Sequence, residues 1–184
     1  MTKAAGTLPE KKSDNPSGNP PDKTISGLGP HGERAVPPSQ IELLPEDIAE
    51  AREKRFSVAI VFHTTTSDWA RQQISGIVGT LGACSTIVSE VVDCGFQAEA
   101  QISALERLSK GSCDAIISIP VANAPVVDAH RLVSRAGKQL ILNDNVPTGM
   151  VPGKDYTSLV SADNFGLGLI GAELLSPEVK EGGE

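Results

Sequence analysis

The sequence predicts an α/β fold: a doubly wound, flavodoxin-like parallel sheet of about five strands in the order 2-1-3-4-5, with helices on both faces. Two observations support this prediction. Short apolar runs suited to buried strands alternate with segments whose apolar residues recur at helical spacing. The connections between them are short, which is typical of βαβ units and parallel sheets. Right-handed crossovers then limit the chain to a doubly wound topology.

Each element of this prediction has its own signal in the sequence. The first helix, Leu44 to Lys54, begins with a proline and two acidic residues, which favour a helix start. Phe56 to Phe62 is an apolar run suited to a buried strand, and a helix follows at about 70–82. The remaining predicted elements are strands at 86–92, 113–119, 139–142 and 156–162, and helices at 97–110, 124–136 and 165–175.

Composition divides the chain into three parts. Residues 1–40 hold seven of the 13 prolines and few large apolar residues, so they bury too little apolar surface to offset the entropy of ordering. We therefore expect a disordered leader at 1–40, one folded lobe at 41–175 and a flexible tail at 176–184.

Charge and apolar content exclude several classes of function. The net charge of −7 provides no basic face for nucleic acid. The chain has no apolar run of about 20 residues that could insert into a membrane, and its start shows no signal peptide. Its three cysteines lack CxxC spacing, so no metal site is predicted. Buried thiols are expected, and the alternative of one disulfide with one free thiol stays open.

Motifs for catalysis and for cofactor binding are missing. The loop after the first strand contains no glycine, so neither a dinucleotide fingerprint nor a phosphate-binding loop fits there, and no cofactor is expected. Gly76, Gly79 and Gly82 are instead expected to allow close helix–sheet packing or to end the helix. GxSxG is absent, and His63 is the one histidine at a strand end. We therefore predict no catalytic residue.

Polar side chains do gather at the carboxyl ends of strands, which is where open α/β sheets bind ligands. The candidate ligand-binding residues are Thr65, Ser67, Asp68, Trp69, Asp144 and Asn145. Hydroxyls, amides and carboxylates can hydrogen-bond sugar hydroxyls, and an aromatic ring can lie against the apolar face of a sugar. Three alternatives stay open: Ser67 or Asp68 can simply cap the next helix, Trp69 can fill the core, and Asp144 and Asn145 can simply form a turn.

At these residues the chain resembles the ribose-type periplasmic sugar-binding proteins of ABC transporters, whose fold is shared by LacI-type effector domains. The resemblance runs from about Phe56 to Leu175. The segments that carry it, besides the first strand and its loop, are Gln101 to Glu106, Cys113 to Pro120, Ala136-Gly137, Asn143 to Pro147, and Ser161 to Asn164 with Gly166. In this order and spacing they are fairly specific to the family.

The resemblance implies the N-terminal lobe of a two-lobed binding protein that closes around a sugar. Trp69 matches the aromatic residue of the family's site, Asp144 and Asn145 match its strand-4 pair, and Ser67 matches a position that often carries a sugar-contacting amide. The chain is expected to be this lobe alone, as a fragment or a truncated gene product. A pentose or hexose ligand, an ABC permease partner and a periplasmic or extracellular location follow from the resemblance.

Asp163 and Asn164 precede the last predicted helix, where we expect cap or hinge residues. Sugar binding for import, rather than catalysis, is the expected function. The alternative is the effector-binding lobe of a LacI-type regulator without its DNA-binding segment. That alternative is disfavoured because residues 1–40 are too rich in Pro and Gly to form a helix-turn-helix.

Overall fold

A five-stranded parallel sheet forms the centre of the computed structural model, which describes residues 25–177 and residue 179. Its strands are β1 (Ser57–Phe62), β2 (Ile87–Asp93), β3 (Ala115–Ser118), β4 (Gln139–Asn143) and β5 (Ser158–Val160). The α-helices are α1 (Pro45–Lys54), α2 (Asp68–Ala83), α3 (Ala98–Ser109), α4 (Val127–Arg135) and α5 (Asn164–Leu175), and a 3-10 helix spans Pro38–Gln40. The strand order β2-β1-β3-β4-β5, with every pair parallel, confirms the predicted fold class. None of the described helices has the length and apolarity that crossing a membrane requires.

Strand β1 lies inside the sheet because both of its faces are apolar. It pairs with β2 on one side and β3 on the other, and residues 58 to 62 are all buried. Successive side chains of a strand point to opposite faces. Ala59 and Val61 therefore join the cluster on one face, whereas Ile60 and Phe62 join the cluster on the other.

The face that α3 and α4 cover, called here the α3–α4 face, carries the larger core. Leu105 of α3 and Val133 of α4 are completely buried against Ile116 and Leu140 of the sheet. The apolar residues of α3 recur at helical spacing, as the sequence predicts, and this places them together on the sheet.

The opposite face, called here the α2 face, is only partly covered. Ile74 and Ile77 of α2 pack against Ile60 and Phe62. Farther along the sheet, the side chains of Ile117 and Ile141 are only half-buried, and Val160 is exposed. No described helix covers β4 and β5 on this side.

The glycines of α2 do not allow close packing, so that expectation is wrong. A Cβ atom built on Gly76, Gly79 or Gly82 meets no other atom within 4 Å. All three positions are exposed. The three glycines therefore do not pack against the strands.

The predicted leader and tail are only partly described. Residues 1–24, 178 and 180–184 lie outside the described residues. The disorder expected of residues 1–40 stays a prediction, and within residues 25–40 polar contacts connect Ser26, Gly27 and His31 to the lobe. Ser26 and Gly27 donate their backbone N–H groups to the Asp163 carboxylate, and His31 Nε2 lies 2.8 Å from the carbonyl oxygen of Met150.

Candidate functional site

The loop after β1 and the first turn of α2 hold four of the predicted ligand-binding residues, Thr65, Ser67, Asp68 and Trp69, and the first three have local structural partners. Ser67 is the N-cap of α2 and accepts a hydrogen bond of 3.1 Å from the N–H of Ala70. Asp68 begins the helix and pairs with Arg71 on the surface. Thr65 donates from its hydroxyl to Asp93 at 2.7 Å. Three of the four side chains therefore also have structural roles.

Trp69 does not fill the core. Its side chain is 46% exposed in the first turn of α2, at the carboxyl end of the sheet. Its ring centroid lies 6.3 Å from that of His63, and the two planes are tilted by 53°. On the other side of His63 lies Phe96, with centroids 5.0 Å apart in an edge-to-face arrangement. Trp69, His63 and Phe96 thus form one aromatic row at this edge.

His63 is half-buried in this row, and its Nδ1 atom has no hydrogen-bond partner although it is buried. Burial lowers the pKa of His63, while the nearby carboxylates of Asp144 and Asp93 oppose the shift. The neutral ring is therefore favoured, and Nδ1 is left able to accept or donate a bond according to its tautomer. An unpaired buried polar atom is costly, so Nδ1 is expected to have a partner in solution or in a complex.

The end of β4 contributes the other two predicted residues. Asp144 has a positive φ of 74°, and its exposed carboxylate has no hydrogen-bond partner among the described residues. Its backbone is fixed by bonds to Val160 and Ser161 of the β5 strand end. Asn145 is half-buried, and its Oδ1 atom is the second buried polar atom without a partner in the described chain. Both therefore retain hydrogen-bonding capacity.

Asp163 and Asn164 lie at the start of α5. Asp163 is its N-cap and accepts a bond of 2.9 Å from the N–H of Gly166. It also accepts the bonds from Ser26 and Gly27. These donors lower the pKa of Asp163, the Gly166 bond being the largest cause, so its carboxylate is charged over most of the pH range. Asn164 is the first helical residue and is exposed.

Two groups that could support chemistry, the Ser118–His130 pair and the Cys94 thiol, are buried. Ser118 and His130 are hydrogen-bonded at 2.9 Å, but both are completely buried. Burial raises the pKa of the Cys94 thiol to about 11, so it is not a thiolate at neutral pH. Residues 25–177 and 179 contain no group of three His, Cys, Asp or Glu side chains that could hold a metal ion.

The sequence-based prediction of the site did not include Phe96, and it did not include the ring contacts of His63 with Trp69 and Phe96. Phe96 is 63% exposed and has a positive φ of 59°, directly after Gly95, whose φ is also positive. A bulky residue in that conformation is uncommon and points to a constrained loop. The Cys94-Gly95-Phe96 segment, an exposed aromatic after a glycine at a strand end, was the available signal.

Solved structures with the same fold were found by structural comparison. A sugar-binding protein of a sugar ABC transporter from Bacillus halodurans has a TM-score of 0.57 and 17% identity, over 67% of this chain and 41% of its own. An ABC transporter solute-binding protein from Agrobacterium vitis, bound with α-D-tagatopyranose, has a TM-score of 0.59 and 21% identity, over 67% and 44%. A periplasmic ribose ABC transporter protein from Conexibacter woesei has a TM-score of 0.60 and 15% identity, over 70% and 42%.

These likenesses confirm that the chain has the fold of one lobe of the periplasmic sugar-binding proteins. The chain spans about two fifths of the length of these proteins, as one of two lobes does. At such low identity the likeness concerns the fold. No protein-family model and no curated protein sequence matches the chain.

Proposed function

We propose that the protein binds a monosaccharide, a pentose or a hexose, at the carboxyl edge of its sheet. The observation that carries this proposal is a group of polar atoms without hydrogen-bond partners beside the aromatic row of Trp69, His63 and Phe96. It combines the Trp69 ring, the free carboxylate of Asp144, and the unpartnered buried atoms of His63 and Asn145. A sugar offers both hydroxyls for such atoms and an apolar C–H face for such a ring.

The residues after β1 and those after β4 are close enough to interact, which supports one binding site and not two separate ones. The carboxylate of Asp144 acts on the pKa of His63, and the His63 ring contacts that of Trp69. His63 therefore connects the end of β4 to the start of α2. Thr65, Ser67 and Asp68 belong to the rim of this site in the proposal, and their structural bonds mean that each contributes less than Trp69 or Asp144.

Binding, and not catalysis, is the proposed act. The Ser118–His130 pair is buried beyond the reach of a substrate, and the Cys94 thiol is protonated. In a complete transporter system the lobe would form one wall of the cleft of a binding protein that delivers its sugar to an ABC permease. The likeness to periplasmic sugar-binding proteins supports a location in the periplasm or outside the cell. No nucleic-acid partner is proposed, because the net charge of −7 provides no basic face.

The test is a titration of the full chain with a panel of pentoses and hexoses up to tens of millimolar. Trp69 is the single tryptophan, so its fluorescence reports directly on the proposed site. We expect a saturable change for at least one sugar, with weak affinity because one lobe supplies part of the contacts. No saturable change with any sugar, in fluorescence and in calorimetry, contradicts the proposal.

Substitutions then locate the site by calorimetry, which does not need the tryptophan. Trp69→Ala is expected to weaken binding about tenfold, the scale of an aromatic contact beyond area burial. Asp144→Asn is expected to weaken it about ten- to a hundredfold, since hydrogen bonds to charged groups are the stronger ones. The matched control is Asp128→Asn, an exposed acid on α4. Equal losses in Asp144→Asn and Asp128→Asn would place the site elsewhere.

A further inference from the structure

The carboxylate of Asp144 carries a negative charge that no described residue neutralises. Its side chain is exposed at the end of β4, and none of the ion pairs between described residues includes it. Its backbone is nevertheless fixed, because its N–H donates to the Val160 carbonyl oxygen and its carbonyl accepts from the Ser161 hydroxyl, both at 2.8 Å. The charge therefore stays at one place without a cation beside it.

Two basic side chains lie at the same edge of the sheet, and neither supplies that cation. Arg71, in the first turn of α2, pairs with Asp68. The carboxylates of Asp144 and Asp93 both raise the pKa of His63, but burial is the larger effect and lowers it, so the ring is neutral at pH 7. The edge around His63 therefore keeps an excess of negative charge.

The other groups without partners at this edge are acceptors as well. Asn145 Oδ1 has no donor among the described residues, and an amide oxygen can only accept. His63 Nδ1 is likewise unpaired, and it accepts in the tautomer that carries the proton on Nε2. A ligand that meets these atoms together with the Asp144 carboxylate has to supply donors. An ammonium group fits best, because it has three donors, no acceptor and a positive charge.

Two exposed aromatic rings beside these acceptors also favour a cation. Trp69 is 46% exposed and Phe96 is 63% exposed, and both rings contact that of His63. Within the described part of the chain, neither ring has a basic side chain over it. The face of an aromatic ring attracts a cation within about 6 Å of its centroid, and tryptophan does so most strongly. The same rings can therefore contact the C–H face of a sugar and stabilise a positive charge on it.

We propose that the sugar bound at this edge carries a protonated amino group, which pairs with the Asp144 carboxylate while the sugar ring lies against Trp69. This preference rests on the sugar site proposed above and narrows its class of ligand. A neutral sugar leaves the carboxylate without a counter-charge, and a sugar acid adds a second negative charge. Since hydrogen bonds between charged groups are the stronger ones, we expect an amino sugar to bind roughly tenfold more tightly than the neutral sugar of the same configuration.

The test titrates the full chain with matched sugars and follows both Trp69 fluorescence and heat. Glucose, galactose and mannose are each compared with their 2-amino-2-deoxy forms and their uronic acids, and ribose and arabinose represent the pentoses. Methylammonium supplies the charge without a sugar ring. At about pH 6.5 an amine of ordinary pKa is charged. We expect at least one amino sugar to bind more tightly than its neutral form, the uronic acid to bind most weakly, and the preference to decrease at high salt.

Asp144→Asn tests whether this carboxylate is the source of the preference. Asparagine also adopts a positive φ readily, so the substitution removes the charge and keeps the backbone at 144. We expect this variant to bind the amino sugar and its neutral form weakly and about equally, without salt dependence. Asp128→Asn, an exposed acid of α4, should retain the preference of the wild type. Far-ultraviolet circular dichroism verifies that both variants are folded.

The possible outcomes separate this proposal from the sugar site itself. A neutral sugar that binds as tightly as its amino form overturns the amino-sugar preference and leaves the sugar site standing. A preference that Asp144→Asn leaves unchanged overturns it too, because the charge then lies elsewhere. Methylammonium that binds as tightly as the amino sugar would show a site for amines in which the sugar ring plays no part. If no sugar of any charge binds, both proposals are wrong.

Discussion

At the scale of single residues, His130 shows how burial can make the stability of the lobe depend on pH. It is completely buried, with Nδ1 at 2.8 Å from the Val126 carbonyl oxygen and Nε2 at 2.9 Å from the Ser118 hydroxyl. The Nδ1 atom donates to the carbonyl, so in the neutral ring Nε2 accepts from Ser118. A proton on Nε2 would reverse that bond, take away the acceptor of the Ser118 hydroxyl proton and bury a charge.

We therefore predict that the free energy of unfolding decreases as the pH is lowered from 6.5 to about 4. Burial lowers the pKa of His130 from 6.5 to about 4, so over this window the unfolded chain binds a proton that the folded chain does not. The loss should be on the order of 3 kcal/mol. Urea unfolding of wild type and His130→Gln at pH 7 and pH 4.5 measures it. An unchanged pH slope in His130→Gln contradicts the assignment, since His63 titrates in both proteins.

The two histidines also show which properties of a single residue could be predicted from the sequence and which could not. His63 could be placed at a strand end, because an apolar run stops directly before it. The bond between His130 and Ser118 could not be predicted, since it depends on how α4 packs over β3. The choice between core and ligand surface for Trp69 was likewise open, because it depends on the direction of the first turn of α2, which the Ser67 cap fixes.

At the scale of elements, Asp163 links the start of α5 to residues before the lobe. We predict that Asp163→Ala reduces the protection of the Ser26, Gly27 and Gly166 amides from hydrogen exchange together, because one carboxylate accepts from all three. Exchange followed by mass spectrometry on peptides covering both segments measures the loss. Asp128→Ala, an exposed acid in the first turn of α4, is the control. A loss confined to the Gly166 peptide would show that the preceding segment is fixed by other contacts.

Helix and strand positions followed from the sequence, whereas their partners did not. The helical spacing of apolar residues located α3, and its buried side chains lie on the face that this spacing indicates. For α2 the spacing of Gly76, Gly79 and Gly82 suggested close packing, which is wrong because the glycines face solvent. For α5 the apolar residues predicted a helix but not its lack of a partner. Local periodicity identifies an element, and only the full topology shows what covers it.

At the scale of the whole molecule, the order of strands was predictable for a physical reason. Short connections and right-handed crossovers leave few arrangements of a parallel sheet, and the observed order is the predicted one. The carboxyl edge follows from that order, which is why residues after β1 and β4 could be assigned to one site. The unequal covering of the two faces was not predictable, because the apolar residues of α5 indicate a helix but do not show which surface it covers.

This inequality between the two faces predicts unequal costs of core substitutions. Leu105 is completely buried on the α3–α4 face, so Leu105→Ala should lower the free energy of unfolding by roughly 2–5 kcal/mol. Ile117 lies on the partly covered α2 face and is half-buried, so Ile117→Ala should cost clearly less. Urea unfolding at micromolar protein concentration measures both. Equal costs for the two substitutions would contradict this prediction, because they would mean that the α2 face is covered as fully as the α3–α4 face.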